Sequence, residues 1–561
     1  MQTKRDLISK LHDVDRNSYP AYKQLKGSYD MVDFVLNIDH VQGDPFASPS
    51  MLSVFISGAK AGFPKHLYET KEKKIALENL LLRWFSGEMK KYAFREKGSG
   101  KSGFMGAASP GPENLPRTGC EISVHGDVLV RFEVGFPANG RRIQSNGLEK
   151  ILLSYIPKIV SSTLVYEGAK EQKYLEVANL AEDQAYIREQ LKTMDLVAFV
   201  ANGAILPRES GVSSRPMKDA IPFKTPETME VEMNLPHFGT MKGMGIPKGI
   251  TMIVGGGFHG KSTLLKALEV GVYNHVLGDG REYVITDETA MKIRAEDGRS
   301  IQKVDISMFI NNLPNGKDTK SFSTPDASGS TSQAANVVEA MEAGSRLFLV
   351  DEDTSATNFM VCDELMQQVV HRDMEPITPF SDTVLEIYHS TGISTVLVAG
   401  SSGSFFYSAD KVIQMLDYKP VDITERAKQF AGQYPHPTKE ADSLEFPDFS
   451  KTRIWRKMAD AKERVKMKVV GRDTISINKE TIDLRYVEQL VEQGQLSGLA
   501  QIIWFIRTHY FTEQISMKEM VDRVEELMEK ERFHKIASGN ISGNWVVPRR
   551  QEIFACLNRW R

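Results

Sequence analysis

Short apolar runs separated by helical patterns dominate the middle of the chain, from residue 250 to about 417. The strongest runs are residues 250–254, 347–350 and 393–399, each far shorter than the roughly 20 residues that a membrane helix needs. Such runs indicate strands buried on both faces. Because they alternate with helical patterns, they predict a mainly parallel α/β sheet covered by helices.

The region before this core has a different pattern. Helical patterns at 71–86 and 171–194 are mixed with an alternating stretch at 121–134. This mixture predicts an N-terminal α+β domain over residues 1–200. Residues 201–249 carry repeated Pro and Gly, which favour connecting segments and place a domain boundary there.

Beyond the core, helical patterns at 481–493 and 517–532 predict a mainly helical C-terminal domain. The predicted layout is therefore 1–200 for the N-terminal domain, 201–430 for the core and 431–561 for the C-terminal domain. A chain of 561 residues is long enough for two to four domains of about 100 to 200 residues each.

Composition changes this picture little. The net charge is −3, so the charge of the whole protein does not indicate nucleic acid as a partner. Three cysteines without CxxC spacing favour reduced thiols over disulfides or a cysteine-based metal site. The first twenty residues lack the apolar region of a signal peptide, and a soluble cytoplasmic protein is expected.

A glycine-rich sequence, GGGFHGKST, follows the first apolar run and precedes a helical pattern. The spacing is that of a phosphate-binding loop, in which backbone N–H groups and a helix N-terminus favour phosphate oxygens. Lys261 is expected to reach the β and γ phosphates, and the Ser262 hydroxyl to bind Mg²⁺. The residues predicted to contact ATP are Gly255, Gly256, Gly257, Phe258, His259, Gly260, Lys261, Ser262 and Thr263.

A second string, GSGKSG at residues 98–103, does not meet the same requirements. Arg95 stands where the first glycine of a phosphate loop belongs, and no apolar strand leads into the string. A flexible basic loop is the interpretation favoured here, with contact to a phosphate backbone as the alternative.

Two carboxylates follow the second apolar run. Asp351 and Glu352 come directly after residues 347–350, as expected for the other half of a nucleoside triphosphatase site. Asp351 is predicted to hold the Mg²⁺ shell, and Glu352 to orient or deprotonate the attacking water. An apolar strand ending in Asp-Glu is common, and the assignment depends on the phosphate loop upstream.

A Ser-Gly turn lies 23 residues before Asp351. Ser328 and Gly329 open a polar turn before a helical pattern, and a helix start of this kind favours anions. Taken alone, the turn is also typical of a flexible surface loop.

Together these motifs resemble the predicted ATPases of the ABC class, a family with a mitochondrial RNA-binding member. The resemblance implies a P-loop NTPase core of ABC type and a homodimer that closes around two ATP molecules, with the added domains forming a positively lined passage. It also implies that Ser328 and Gly329 contact the γ-phosphate held by the opposite protomer. It is carried by GGGFHGKSTLLKALEVGVYNH, LFLVDEDTSATNFM, EPITPF, AGSSGSFFYSADKVIQMLDY and DITERAK, and less distinctively by GDPFASPS, GFPANGRRI and ANGAILPRESGV.

Two departures from the family pattern bear on activity. The histidine expected after the last core strand is missing, with Gly400, Ser401 and Ser402 near that position, and Gln302 is only a weak candidate for the glutamine loop. Hydrolysis is therefore expected to be slow, or the γ-phosphate to be sensed by a hydroxyl such as that of Ser401.

The residue that contacts the adenine base is not evident from the motifs. Phe238 is interpreted as a core aromatic, with stacking on the base as the alternative.

The clearest basic cluster is the segment 451–472, which holds nine Lys or Arg against two acids. Phosphates and a stacked base would suit such a segment, and a solvated face is an equal alternative. Weaker candidates for phosphate contact are the pairs at 141–142 and at Lys97 and Lys101. The residues predicted to contact nucleic acid are Arg453, Trp455, Arg456, Lys457 and Lys462.

The leading hypothesis is a Mg²⁺-dependent ATPase that acts as an ATP-gated homodimer on RNA or DNA. A nucleotide-switched scaffold with little hydrolysis is one alternative, motivated by the missing histidine. An energy subunit of a membrane transporter is another, against which stand the large added domains and the lack of a predicted spanning segment.

Overall fold

The computed structural model describes residues 1–361, 375–400, 402–434, 444–449, 466–478, 480–510 and 515–560. The chain divides into two units. The first comprises Met1–Glu182 and Met528–Val547, and the second comprises Asp183–Leu527 and Pro548–Arg561. The boundaries predicted from the sequence stay predictions.

Ten strands lie in the first unit: β1 Gln2–Thr3, β2 Gly27–Asp30, β3 Val35–His40, β4 Ser50–Ile56, β5 Met105–Gly106, β6 Glu113–Asn114, β7 Cys120–Ile122, β8 Val128–Val134, β9 Ala138–Asn139 and β10 Arg142–Ile143. A seven-stranded sheet has the order β1-β2-β3-β4-β8-β5, and β7 also pairs with β8. The longest ladder joins β4 and β8 antiparallel, from Ser50 opposite Val134 to Ile56 opposite Val128. The alternating stretch at 121–134 is thus confirmed as strand.

Helices cover this sheet. They are α1 Lys4–Val14, α2 Gly58–Ala61, α3 Lys71–Tyr92, α4 Ser145–Lys150 and α5 Ile156–Thr163, and α6 Glu171–Thr193 contains the division between the units. A capping box starts α1, because Thr3 Oγ1 accepts from the Asp6 N–H at 3.3 Å and Asp6 accepts from the Thr3 N–H at 2.7 Å. The helices predicted at 71–86 and 171–194 are confirmed as α3 and α6.

The second unit contains strands β11 Leu196–Ala201, β12 Glu230–Leu235, β13 Gly239–Pro247, β14 Ile250–Val254, β15 Asn274–His275, β16 Val284–Thr286, β17 Met291–Ile293, β18 Ile301–Val304, β19 Phe322–Thr324, β20 Leu347–Asp351, β21 Ser394–Val398, β22 Lys411–Leu416 and β23 Lys419–Asp422. Its main sheet has the order β17-β20-β21-β14-β22-β23 and is parallel except for β23. The predicted parallel sheet is confirmed.

The helices of the second unit are α7 Lys261–Val270, α8 Gly329–Glu342, α9 Thr357–Met360, α10 Phe380–Thr391, α11 Thr424–Ala431, α12 Gln493–His509, α13 Met517–Glu531, which contains the second division, and α14 Arg550–Arg559. Apolar side chains of β14, β20 and β21 join those of α8 and α10 in one buried core. Burial on both faces explains why the parallel strands are continuous apolar runs.

One apolar strand of the second unit lies outside the parallel sheet. Strand β16 belongs to a separate four-stranded antiparallel sheet with the order β12-β13-β11-β16. It pairs antiparallel with β11, Phe199 standing opposite Ile285. Its apolar sequence did not reveal this partner, because apolar runs do not specify strand direction.

The described C-terminal residues also differ from expectation at one element. Three antiparallel strands, β24 Met467–Val470, β25 Thr474–Ile477 and β26 Glu480–Asp483, precede the helices. The predicted helix at 481–493 is therefore wrong, since its first residues form β26 and α12 begins only at Gln493. Pairing with β25, in which Ile475 faces Ile482, overrides the weak helical pattern.

None of the helices within the described ranges is long and apolar enough to cross a membrane.

Candidate nucleotide site

The predicted phosphate loop lies at the carboxyl end of β14, which is flanked by β21 and β22 in the parallel sheet. Gly255 and Gly260 have φ of +139° and +96°, and Phe258 has φ of +64°. A Cβ atom on Gly255 would lie 2.5 Å from the Met415 carbonyl oxygen, so only glycine fits there. Helix α7 begins directly at Lys261. This strand–loop–helix arrangement is the context that phosphate binding requires.

The Lys261 side chain lies over the mouth of the loop. Its Nζ donates to the carbonyl oxygens of Gly255 at 2.6 Å and Gly256 at 3.0 Å. The loop is held from its other side, where the Asp417 N–H donates to His259 Nδ1 at 2.9 Å. Phe258 is 98 % exposed.

The two carboxylates lie together at the carboxyl end of β20, beside β21 in the sheet. Asp351 is the last residue of β20 and is buried, whereas Glu352 is half-buried. Glu352 Oε2 accepts a hydrogen bond of 2.5 Å from the Gly400 N–H, just beyond β21. A Cβ atom on Gly400 would lie 3.9 Å from Lys261 Nζ and 4.0 Å from Glu352 Oε2. The fold therefore brings the loop lysine and the second carboxylate close to the same residue, Gly400.

Sequence reasoning missed a buried lysine beside Asp351. Lys292 belongs to β17. Its Nζ atom lies 4.0 Å from Asp351 Oδ2 and 2.5 Å from Glu269 Oε1 of helix α7. The Lys292 side chain is 5 % exposed. Burial raises the pKa of Glu269, and Lys292 opposes that rise. No local pattern identified Lys292, because its partners come from other elements.

The Ser-Gly turn caps helix α8. Ser328 is exposed, and its Oγ accepts from the Thr331 N–H at 3.5 Å and lies 3.0 Å from Thr331 Oγ1. Gln333, which sequence reasoning also missed, donates to Ser355 Oγ at 2.9 Å and accepts from the Ala356 N–H at 2.8 Å. The turn and the segment after the carboxylates are thus connected through one helix.

A buried ion pair joins the last helix to this region. Arg559 of α14 donates through Nε to Glu296 at 3.1 Å, and both side chains are less than a tenth exposed. The guanidinium groups of Arg559 and Arg299 outweigh the effect of burial and hold the pKa of Glu296 below its ordinary value. The Glu296 N–H donates to Ser332 Oγ of α8 at 2.8 Å. The C-terminal helix therefore contacts the segment that supports α8.

Other predicted positions are less closely involved or are not described. Gln302 is exposed on β18, which pairs only with β19 in a separate sheet. Ser401 lies outside the described residues. Phe238 is 58 % exposed, so its interpretation as a core aromatic is wrong; its ring lies 5.5 Å from that of Tyr283. Stacking of Phe238 on a base stays a prediction.

The residues predicted to contact nucleic acid lie in the basic segment. Arg453, Trp455, Arg456, Lys457 and Lys462 all lie outside the described residues. The end of the basic segment is described from residue 466 onwards, where the lysines and arginine of 466–472 are exposed around β24.

Three family models match successive parts of the chain. A model described as the N-terminal part of ATPases of the ABC class matches residues 4–167. A P-loop domain model matches residues 170–451, a little over half of the chain. An MRB1590 C-terminal domain model matches residues 466–561.

One curated relative is the uncharacterized protein MJ1628 of Methanocaldococcus jannaschii, 31 % identical over 264 residues, which are 45 % of this chain and 58 % of the relative. The chain thus spans little more than half of that protein.

Solved structures also show partial similarity. The cbiO1 protein of Clostridium perfringens, part of an ABC transporter complex, matches 43 % of this chain and 92 % of its own at 12 % identity and a TM-score of 0.26. The ATP-binding cassette MJ1267 matches 42 % and 94 % at 11 % identity, also with a TM-score of 0.26. Scores this low carry no argument about function. The P-loop domain model covers more than half of the sequence, and the structure has the strand, loop and carboxylates that such a domain requires. The chain therefore belongs to the ABC-class P-loop ATPases.

Proposed function

We propose that the chain binds ATP with Mg²⁺ and hydrolyses it to ADP and phosphate. The observation that carries the proposal is that Lys261 Nζ and Glu352 Oε2 both lie near Gly400, at 3.9 and 4.0 Å from a Cβ atom built on that residue. A cation for the phosphates and a carboxylate for the attacking water are both needed at one place in phosphoryl transfer.

The residues of the site fit the nucleotide. Backbone N–H groups from Gly255 to Gly260 and the start of α7 would cradle the phosphates, and Lys261 would leave the loop carbonyls for phosphate oxygens. Glu352, held by the Gly400 N–H, would orient the water and accept its proton.

Magnesium fits the same residues. Among the described residues, no three His, Cys, Asp or Glu side chains form a group that could hold a metal ion. Mg²⁺ is commonly held by one or two protein oxygens together with substrate phosphates, which Ser262 and Asp351 would provide here. The ion would neutralise charge on the transferred phosphoryl group.

The working state in this proposal is a homodimer. Each chain carries one phosphate loop and one Ser-Gly turn, and Ser328 is exposed at a helix start, where an anion is favoured. The turn of one chain would complete the site of the other. A nucleotide-switched scaffold that binds ATP without turnover remains the alternative.

Concentration dependence tests this composite site. ATP turnover per chain is expected to rise with protein concentration and then reach a plateau, because only dimers contain complete sites. Phosphate release should be measured over a hundredfold range of protein concentration, with Mg²⁺ and with excess EDTA. Turnover per chain that is constant over the whole range would contradict the dimer, and no turnover at any concentration would select the scaffold.

We further propose that the chain acts on RNA or DNA, on the basis of the basic segment 451–472. Replacing Arg453, Arg456, Lys457 and Lys462 by Gln is expected to weaken nucleic-acid binding without changing basal ATP turnover. Four lost phosphate contacts should reduce the slope of log affinity against log salt by roughly 3, at about 0.7 to 0.9 each. An unchanged slope would mean that these side chains form a solvated face.

The aromatic residue of this segment gives a separate measurement. Trp455→Ala is expected to cost about 1 to 3 kcal/mol of binding free energy if a base stacks there, with little change in the salt slope. Unfolding of the C-terminal region by this substitution would instead make the ring a core residue.

A further inference from the structure

Three loops that the ATPase site does not use lie together in the N-terminal unit. They are residues 43–50 (GDPFASPS), 98–103 (GSGKSG) and 135–143 (GFPANGRRI), here called the three-loop surface. The second loop joins the first through the Lys101 N–H, which donates to the Pro45 carbonyl oxygen at 2.8 Å.

The second and third loops are joined more extensively. The Ser99 N–H donates to the Ala138 carbonyl oxygen at 2.8 Å, and Ser99 Oγ accepts from the Gly140 N–H at 2.8 Å. Buried Ser102 accepts through Oγ from the Ala138 N–H at 3.0 Å. The sequence GSGKSG is therefore a tethered loop, which corrects its interpretation as a flexible one.

Glycines let these loops approach closely. A Cβ atom on Gly98 would lie 2.5 Å from the Ala138 carbonyl oxygen, and one on Gly100 would lie 2.3 Å from that of Pro45. Such contacts leave no room for a side chain. The surface is consequently arranged before any partner arrives, which lowers the entropy cost of binding.

The three-loop surface presents cations. Lys97, Lys101, Arg141 and Arg142 are all exposed. In the parts of the chain that the structure describes, Lys97, Arg141 and Arg142 form no ion pair within 4.0 Å. Burial raises the pKa of the half-buried Glu133, and the charge of Lys101 partly offsets that rise.

The nearby carboxylates form hydrogen bonds or an ion pair within the protein. Asp44 accepts from the N–H groups of Phe46 and Ala47 at 2.8 and 3.2 Å. Glu96 accepts from the Tyr155 hydroxyl at 2.6 Å and lies 3.6 Å from Lys150 Nζ. These carboxylates keep their charge, but the four cations outnumber Asp44, Glu96 and Glu133, so the surface keeps a net positive charge.

The three-loop surface also carries an exposed aromatic ring. Phe46 is 66 % exposed although its backbone is fixed by Asp44 and its ring edge lies near Gly100. An exposed ring on the same surface as several cations matches the way proteins bind single strands, with bases stacked on aromatics and phosphates on Lys or Arg.

We propose that the three-loop surface binds single-stranded nucleic acid, with a base stacked on Phe46 and the backbone phosphates on Lys97, Lys101, Arg141 and Arg142. The inference rests on the proposed action on RNA or DNA and assigns it a surface in the N-terminal unit. A paired base does not offer its face to a protruding ring, so the surface should prefer single strands over duplex.

The test compares two fourfold variants of the full chain. One replaces Lys97, Lys101, Arg141 and Arg142 by Gln. The matched control makes the same change at four other exposed cations of this unit, Lys4, Arg5, Lys65 and Lys158. Binding of a fluorescein-labelled 20-nucleotide oligouridine is measured by anisotropy from 50 to 300 mM salt.

The first variant is expected to lower the salt slope by roughly 3, at about 0.7 for each phosphate contact with a single strand, and the control by less than 1. Phe46→Ala should weaken binding about 5- to 150-fold with little change in slope, and Phe46→Trp should restore it. Melting temperature and basal ATP turnover verify that each variant is folded.

The outcomes separate the two proposals. If the wild-type chain binds neither the oligonucleotide nor a duplex, the proposed action on nucleic acid fails, and this inference with it. If the wild type binds and both fourfold variants bind alike, only the three-loop surface is overturned. Equal affinity for duplex, combined with no effect of Phe46→Ala, would overturn the single-strand assignment.

Discussion

Replacing Lys261 by alanine is expected to abolish measurable ATP turnover and to weaken ATP binding strongly. The triphosphate would lose the only lysine of its loop, and charge-assisted hydrogen bonds to phosphate are about twice as strong as those between neutral groups. Loss of one group that stabilises developing charge typically costs about 100- to 1,000-fold in rate. Phosphate release and equilibrium binding of a fluorescent ATP analogue measure the two effects.

A control lies on the same helix. Lys266 is exposed on α7, five residues beyond Lys261, and Lys266→Ala removes the same charge away from the loop. It should bind and hydrolyse ATP as the wild type does. Wild-type turnover by Lys261→Ala would move the nucleotide site elsewhere.

Glu352→Gln is expected to bind ATP normally and to accumulate as a closed, ATP-bound dimer. The amide has the size of the carboxylate and can still accept the Gly400 N–H through its oxygen, so the local structure is preserved. It cannot accept the proton of the attacking water, and hydrolysis stops after ATP has joined the two chains. Light scattering with ATP and single-turnover phosphate release measure dimer and chemistry separately.

The neighbouring acid serves as the control. Asp353 is exposed, and Asp353→Asn should leave both turnover and the monomer–dimer equilibrium unchanged. If Glu352→Gln with ATP stays monomeric, the composite site is wrong. If it releases phosphate at the wild-type rate, Glu352 is not the general base.

The strand, loop and helix around residues 255–260 were predicted correctly because their pattern is local. The loop from Gly255 to Gly260 needs consecutive residues whose N–H groups converge, so a sequence pattern suffices to find it. The same holds for the Asp351 and Glu352 pair at the end of an apolar strand. The helix at 481–493 was mispredicted because a weak periodicity competed with strand pairing between β25 and β26.

Residues that act across elements were not predictable in this way. Lys292 reaches Asp351 only because β17 lies beside β20, and the register places Lys292 opposite Leu349. The Gly400 N–H meets Glu352 because β21 adjoins β20 on its other side. Neither strand order nor register is written in the composition of a single strand.

By itself, the sequence determined the phosphate loop, the acidic strand end, the Ser-Gly turn and the parallel α/β core, since each depends on neighbouring residues or on a short period of apolar positions. Only the tertiary structure decided that the Gly400 N–H group meets Glu352 near the loop lysine, and that three separate loops form one surface that carries four cations and Phe46. The physical reason is that contacts between distant segments depend on strand order and on how closely backbones approach, and both are set by the packing of the whole unit.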